Sequence, residues 1–287
     1  MSAIYRKELK SYFTGPIAYV FMAVLLVTTG IYTMIYNLSY QYATYEYVYG
    51  AVSFIYLIII PILTMRIFAE ERKQKTEQLL YCLPLKMSSI VAGKYLAAVT
   101  VLAVPCAITG IYPFILSLYG NVNFKIVFVS LLAFFLLGAA LIAVCMFVSS
   151  LTENQILAAI ISFIVVFINY FISNLSGFVS GTGFASCLFL MAVIIVLALI
   201  VNYLTKNKLL AEIVAIVLLA ALLAVFLIDA SLLEGVAPEI LNKLALFDGF
   251  YNMVYGLFDL GTVVMFLSVV VLFNHMSVVS LEKRRWA

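Results

Sequence analysis

Charge is what this chain has least of. Among its 287 residues, Asp, Glu, Lys and Arg make up 10%, as 13 acidic and 16 basic side chains. Soluble globular domains carry about 25%, so the composition excludes that class. Ligand and nucleophile chemistry is as thin. There is 1 His, His275, with no acid near it, and it reads as a packed or snorkelling residue. The 4 Cys (Cys82, Cys106, Cys145 and Cys187) lie in or beside apolar runs. They show neither metal-ligand spacing nor an extracellular pairing pattern, and read as small packing residues. A membrane-embedded enzyme is disfavoured because no His/Cys/acid constellation is present. No G-x-x-x-x-G-K-[ST] phosphate loop occurs either, since Gly93-Lys94 is followed by Tyr95 at the start of an apolar run. The sequence holds no internal repeat, low-complexity tract or soluble domain.

What fills the chain is hydrocarbon. The hydrophobic fraction is 66% and the mean hydropathy is +1.20. A membrane-spanning helix needs about 20 mainly apolar residues. Backbone groups in lipid must be satisfied within the segment, so uniformly apolar runs are helices, whereas barrel strands alternate. The fold class expected is therefore an all-α polytopic membrane protein, a single transmembrane domain over 1–287. Eight spans are expected: Pro16–Tyr36, Val52–Phe68, Ser89–Leu118, Phe124–Ser149, Gln155–Ser173, Ala185–Leu204, Leu209–Ile228 and Gly261–Ser280. The third is long enough to tilt or kink, with Pro105 and Pro113 as the kink sites. The first run continues to about Tyr36, beyond the roughly 7–15 residues of a cleavable signal core, so an uncleaved span is expected.

Orientation follows from the basic residues. With the N-terminus in the cytoplasm and eight helices threaded, every one of the 16 Lys and Arg except Lys125 and Lys243 falls on the inner side. A multi-pass protein of the cytoplasmic membrane, with both termini inside, is expected. The outer loop Asn37–Gly50 has no Lys or Arg and carries Tyr40, Tyr42, Tyr45, Tyr47 and Tyr49, rings suited to a membrane–water boundary. The outer segment 229–258 is too apolar for an ordinary loop. Pro238 suits the first turn of a helix and Asp248-Gly249 suits its end, so an interfacial or re-entrant helix is expected there. Ser176–Gly183 reads as a true outer loop. The spans lack an obvious mid-membrane acid of the kind that marks proton- and sodium-driven transporters.

Two polar stretches carry the functional signal. Residues 2–13 form an amphipathic pattern, with Ile4, Tyr5, Leu9, Tyr12 and Phe13 on one side and Arg6, Lys7 and Lys10 on the other. That pattern suits a helix lying in the inner interface, or a basic flank fixing topology. The second stretch is the charged island within 70–88, from Glu70, Glu71, Arg72 and Lys73 to Glu77 and Gln78, then Leu79, Leu80, Leu83 and Pro84. By residues alone, it is either a solvated topogenic loop or a short helix ending at Pro84 that offers a leucine stripe to a partner.

The stretch from Phe68 to Lys94 resembles the first cytoplasmic loop of the ABC-2 family of ABC-transporter permeases. That family carries acidic-Arg, then Gly-Thr-x-Glu-x-Leu-Leu, then Pro, then Gly-Lys opening the third span. The matching residues here are Glu71-Arg72, Thr76, Glu77, Leu79-Leu80, Pro84 and Gly93-Lys94, with Lys75 where the family has Gly. Ser149 to Gln155, including Glu153, is similar to the family's second inner loop. The ending, from Phe250 through Gly256 and Asp259 to Leu281–Trp286, looks like the gliding-motility and copper-enzyme-maturation branch. The family usually has six spans, and the pair within 185–228 is the surplus.

The resemblance implies an ABC-2, type V exporter-like permease fold with an N-terminal interfacial helix and a short cytoplasmic coupling helix. It implies no catalysis and no cofactor or metal in this chain, ATP and Mg residing in a partner ATPase. It assigns ATPase coupling to Glu71, Arg72, Lys75, Thr76, Glu77, Leu79, Leu80, Leu83, Pro84 and Glu153, and the interfacial helix to Tyr5, Arg6, Lys7, Leu9 and Lys10. The partners implied are ABC ATPase subunits, a second permease copy, an extracytoplasmic auxiliary subunit and membrane lipid, with no nucleic acid. The function implied is export of an amphiphilic or hydrophobic substrate. The alternatives are a non-transporting anchor or assembly subunit of an ABC-type machine, and a secondary transporter.

Overall fold

Gly15 and Pro16 divide the N-terminal region into two helices. In this computed structural model, α1 (Ser2–Thr14) ends where Gly15 turns extended, and Pro16 opens the next helix at its first position. A missing N–H is harmless there, because the first amides of a helix have no intrahelical acceptor. The structure describes residues 1–75, 86–176, 182–205 and 233–285, together with 212, 215–220, 222 and 226.

Six helices among the described residues are long and apolar enough to cross a membrane: α2 (Pro16–Ser39), α3 (Glu46–Lys73), α4 (Met87–Leu116), α5 (Phe124–Leu151), α6 (Gln155–Ile172) and the last, Leu260–Lys283. A further helix, α7 (Gly183–Thr205), is 23 residues long and occupies the first half of the expected surplus pair. Its expected partner, Leu209–Ile228, lies largely outside the described residues, as do 177–181 of the expected outer loop. Two short helices follow, α8 (Val236–Leu244) and α9 (Leu246–Val254), and then α10 (Leu260–Arg285). No strand occurs among the described residues. Of the two expected kink sites, Pro105 lies within the unbroken Met87–Thr109 helix, and Pro113 stands at a break. Pro113 cannot donate to the carbonyl of Thr109, and α4 is interrupted between Thr109 and Tyr112.

The chain packs as two compact units, Met1–Phe167 with Gly249–Ala287, and Ile168–Asp248. In the first, α5 is the most enclosed span, and α3, α4 and α10 all pack on it. Tyr56 of α3 stacks on Phe134 of α5 at 4.5 Å between ring centres. Its hydroxyl donates to the Phe134 carbonyl at 3.3 Å, so the buried O–H is satisfied. In the second unit, Asn169 bridges the break between α8 and α9. Its amide donates to the Leu244 carbonyl at 3.0 Å and its oxygen accepts from the Leu246 N–H at 3.2 Å.

Two expectations are corrected. The second span starts at Glu46, well before Val52, with Tyr45 at its N-cap and Tyr49 inside it, both buried core residues rather than boundary rings. They stand one helical turn apart and meet edge to face at 5.1 Å, while Tyr40, Tyr42 and Tyr47 remain exposed. Asp248-Gly249 does not end a helix but lies inside α9. A Cβ on Gly249 would stand 2.8 Å from the Thr262 side chain, so the glycine serves close approach of α9 to α10. Asp259 caps α10, accepting from the Gly261 N–H at 2.9 Å and the Thr262 N–H at 3.0 Å. These bonds and that of the Thr262 hydroxyl hold its carboxyl below the ordinary range.

Candidate coupling site

The basic end of the first unit is built around a lysine with no access to solvent. Lys94 lies two turns into α4, and its side chain is 2% exposed. A buried ammonium persists only where opposite charges and acceptors surround it. Its Nζ reaches Glu71 at 2.9 Å and Glu8 at 3.2 Å. It donates to the Ile67 carbonyl at 3.0 Å and stands 5.4 Å from the Phe68 ring centre. Lys7 closes the network at 3.5 Å from Glu71 and 3.6 Å from Glu8, so two ammonium groups balance two carboxylates. Three elements are tied at one atom: α1 by Glu8, the end of α3 by Glu71, and α4 by Lys94 itself.

The seating of α1 is specific. A Cβ on Gly93 would lie 3.1 Å from the Ile4 side chain, so a larger residue there would push α1 away from α4 by a few tenths of an ångström. Ile4 packs with Met87 and Ile90, with Val278 against them. The Tyr5 hydroxyl meets that of Thr100 at 3.1 Å. Arg6, Lys7 and Lys10 face outward, while Leu9 is half-buried. Burial, with Glu8 nearby, pushes the Tyr12 phenol well above its ordinary value, so it stays neutral.

The end of α3 is held by the last turn of α5 and the link that follows it. The helix loosens over 65–68, and Ser149 replaces the missing backbone partners. Its hydroxyl accepts from the Phe68 and Ala69 amides at 3.3 and 3.4 Å and donates to the Met65 carbonyl at 3.3 Å. Arg72, 5% exposed, donates to the Thr152 carbonyl at 3.2 Å. Glu153 is exposed in that link. The island thus leaves the bundle from a cross-braced stem at Glu71 and Arg72. Thr76, Glu77, Leu79, Leu80, Leu83 and Pro84 lie outside the described residues.

Lys75 explains its own departure from the family pattern. Its φ is +57°, the left-handed region, which costs an L-residue about 1–2 kcal/mol and glycine almost nothing. The turn demands what glycine supplies. Lys75→Gly relieves that strain but loosens the unfolded chain by about 0.4–1 kcal/mol, leaving a net gain of about 0–1.6 kcal/mol. Thermal unfolding in detergent is therefore expected to rise slightly for Lys75→Gly and to fall for Lys75→Val. The reverse order would show that this conformation is not the one in solution.

Reasoning from sequence missed the hub. Gly93-Lys94 stood out only as a motif, and Glu8 was not singled out at all. The signal present was a lysine inside an apolar run, which calls for a counter-ion.

Membrane-length helices packed on an enclosed α5, with a basic helix clamped across their charged end, define a multi-pass helical membrane protein whose polar machinery sits at one end. Residues 6–169 match the family described as ABC-2 family transporter protein. More than half the chain is matched, and the chain belongs to that family: it is a permease subunit of an ABC transporter. Membership implies an ABC ATPase subunit as partner. No curated protein matches this chain.

Proposed function

We propose that this subunit is driven by ATP hydrolysis in a separate ATPase docked on segment 70–88, with α1 and Glu153 beside it. The observation that carries the reading is the ion-pair hub at Lys94. Residues 76–85 connect the two helices that Lys94 and Glu71 join, so a push on the loop loads both stems together. The hub has no slack, because Lys94 Nζ holds its carboxylates at 2.9 and 3.2 Å. Displacement of the loop is then passed to α3, α4 and α1 as one body, and through α5 to the rest of the first unit. ATP and Mg stay in the ATPase. Two permease copies working as a dimer would face each other, and an extracytoplasmic auxiliary subunit is compatible with the arrangement. The basic end faces the cytoplasm, as the charge bias requires, in a cytoplasmic membrane. The direction is export, and the cargo is an amphiphilic or hydrophobic molecule, as apolar walls suit.

The test is purification of the tagged chain from its native membrane in mild detergent. An ATP-hydrolysing subunit is expected to come with it, with two copies of each chain in the complex. A folded chain that emerges alone, with no ATPase activity in the fraction, would sink this reading.

A further inference from the structure

The last helix has two faces of different kinds. Thr262, Phe266, Ser277 and Ser280 of α10 are buried, and α10 packs on α5 and α4. On the other side Gly261, Val264, Ser268, Val271 and His275 are all exposed, spaced alternately three and four residues apart. That alternation averages about 3.5 residues, the repeat of two helices wound around each other. Gly261, Ser268 and His275 fall on one position of the repeat, Val264 and Val271 on the other. Leu260, Leu267 and Leu272 are exposed at its flanks. Small and β-branched side chains along the centre let a second backbone come close, as helix pairs in membranes do.

His275 separates this stripe from an ordinary lipid-facing one. The span runs Leu260–Lys283. The next charged residue after His275 is Glu282, seven positions on, about 10 Å along the helix. An imidazole is too short to cover that distance to water, unlike the long side chains that snorkel. The ring is exposed rather than packed, and it makes no hydrogen bond among the described residues. Hydrocarbon offers it none. Ser268 has no such need, because its hydroxyl donates to the Met265 carbonyl at 2.8 Å. An imidazole presents one N–H donor and one acceptor nitrogen, so another imidazole completes it.

We propose that the exposed stripe of α10 is the surface on which two copies of this chain join. Copies in one membrane share their orientation, so a two-fold axis along the membrane normal sets the two α10 helices side by side and parallel. In a parallel pair each seam residue meets its own counterpart. His275 then hydrogen-bonds His275 of the partner subunit, while Gly261 and Ser268 permit the close approach. A single strongly polar position on such a seam fixes its register. The proposal rests on the two-copy reading above and names the surface that joins the copies.

The experiment uses the full chain in its native membrane. Cysteines are added singly at Val264, Ser268 and Val271, and at Ile160, exposed on α6, as the control; the chain without an added cysteine gives the background. Oxidation is expected to link two copies through each α10 position several-fold more than through Ile160→Cys. Copy number is read separately, by stepwise photobleaching of a fused fluorescent tag, with two steps expected. His275→Leu should weaken self-association in vesicles about 3- to 30-fold. His275→Asn keeps a donor and an acceptor and should stay near wild type. Ser268→Phe puts bulk at the close approach and should abolish linkage at Val264→Cys and Val271→Cys. All these positions are exposed, so the fold of one copy does not depend on them. Two bleaching steps without linkage along α10 would overturn the seam and leave the two-copy reading standing. A single step would overturn both. Linkage to a chain of different mass, equal linkage through Ile160→Cys, or linkage that survives Ser268→Phe would overturn the seam. Self-association unchanged in His275→Leu, or lost equally in His275→Asn, would overturn the imidazole pair.

Discussion

Lys94→Met is expected to release α1 from the bundle. The substitution keeps the length of the side chain and removes its charge, so the cavity it leaves is small. What remains is Glu8 and Glu71, 14% and 17% exposed, robbed of their buried cation, with the exposed Lys7 beside both. Breaking a buried pair by deleting one partner costs about 3–5 kcal/mol, because the other charge is left without compensation. The Ile67 carbonyl loses its donor as well. The hydrophobic contacts of Ile4 and the Tyr5–Thr100 bond are too few to offset that loss. Hydrogen–deuterium exchange over residues 2–14 should accelerate markedly, and thermal unfolding should shift down. The triple variant Lys94→Met, Glu8→Gln, Glu71→Gln is expected to recover most of the stability, since replacing a buried ionic set by neutral groups is often close to neutral. Unchanged exchange in Lys94→Met would mean that α1 is held by packing alone and that the hub is incidental.

Six of the eight expected spans were legible because lipid simplifies the reading. Phe124 starts α5 and Gln155 starts α6 where apolar runs start, since a helix in hydrocarbon has no other way to satisfy its backbone. The amphipathic pattern of α1 was legible for the same reason, as Ile4 is buried and Arg6, Lys7 and Lys10 are not. The start of α3 was not. Tyrosines at a membrane boundary and tyrosines on a helix face look alike, unless the spacing of Tyr45, Tyr49, Val52 and Tyr56 is read as helical rather than as a count of rings. Gly249 was misread because a glycine beside an aspartate signals a stop, and only the facing Thr262 shows that it is a contact. The hub was out of reach for a plainer reason. Glu8 and Lys94 are 86 residues apart, and no local pattern says which acid meets a buried lysine. The island displayed its charges but not that Glu71 and Arg72 face inward as a stem.

Glu77→Lys is expected to separate docking from folding. Glu77 follows the Glu71–Arg72 stem in the sequence of the island. If it meets a basic or hydrogen-bonding rim on the ATPase, charge reversal removes a desolvated contact and adds a repulsion. Losing one side of such a contact costs about 2–5 kcal/mol, equivalent to roughly 30-fold to several-thousand-fold in affinity. Expression, membrane insertion and unfolding temperature should match wild type, while co-purification of the ATPase and substrate-stimulated turnover collapse. Glu234→Lys, on an exposed residue of the second unit, is the control and should change neither. The contrast with Lys94→Met carries the argument. One variant should loosen α1 whether or not an ATPase is present, and the other should be silent until the ATPase is added. If Glu77→Lys keeps full coupling, the island is a solvated topogenic loop, and the docking surface must be sought on α1 and the turn around Glu153.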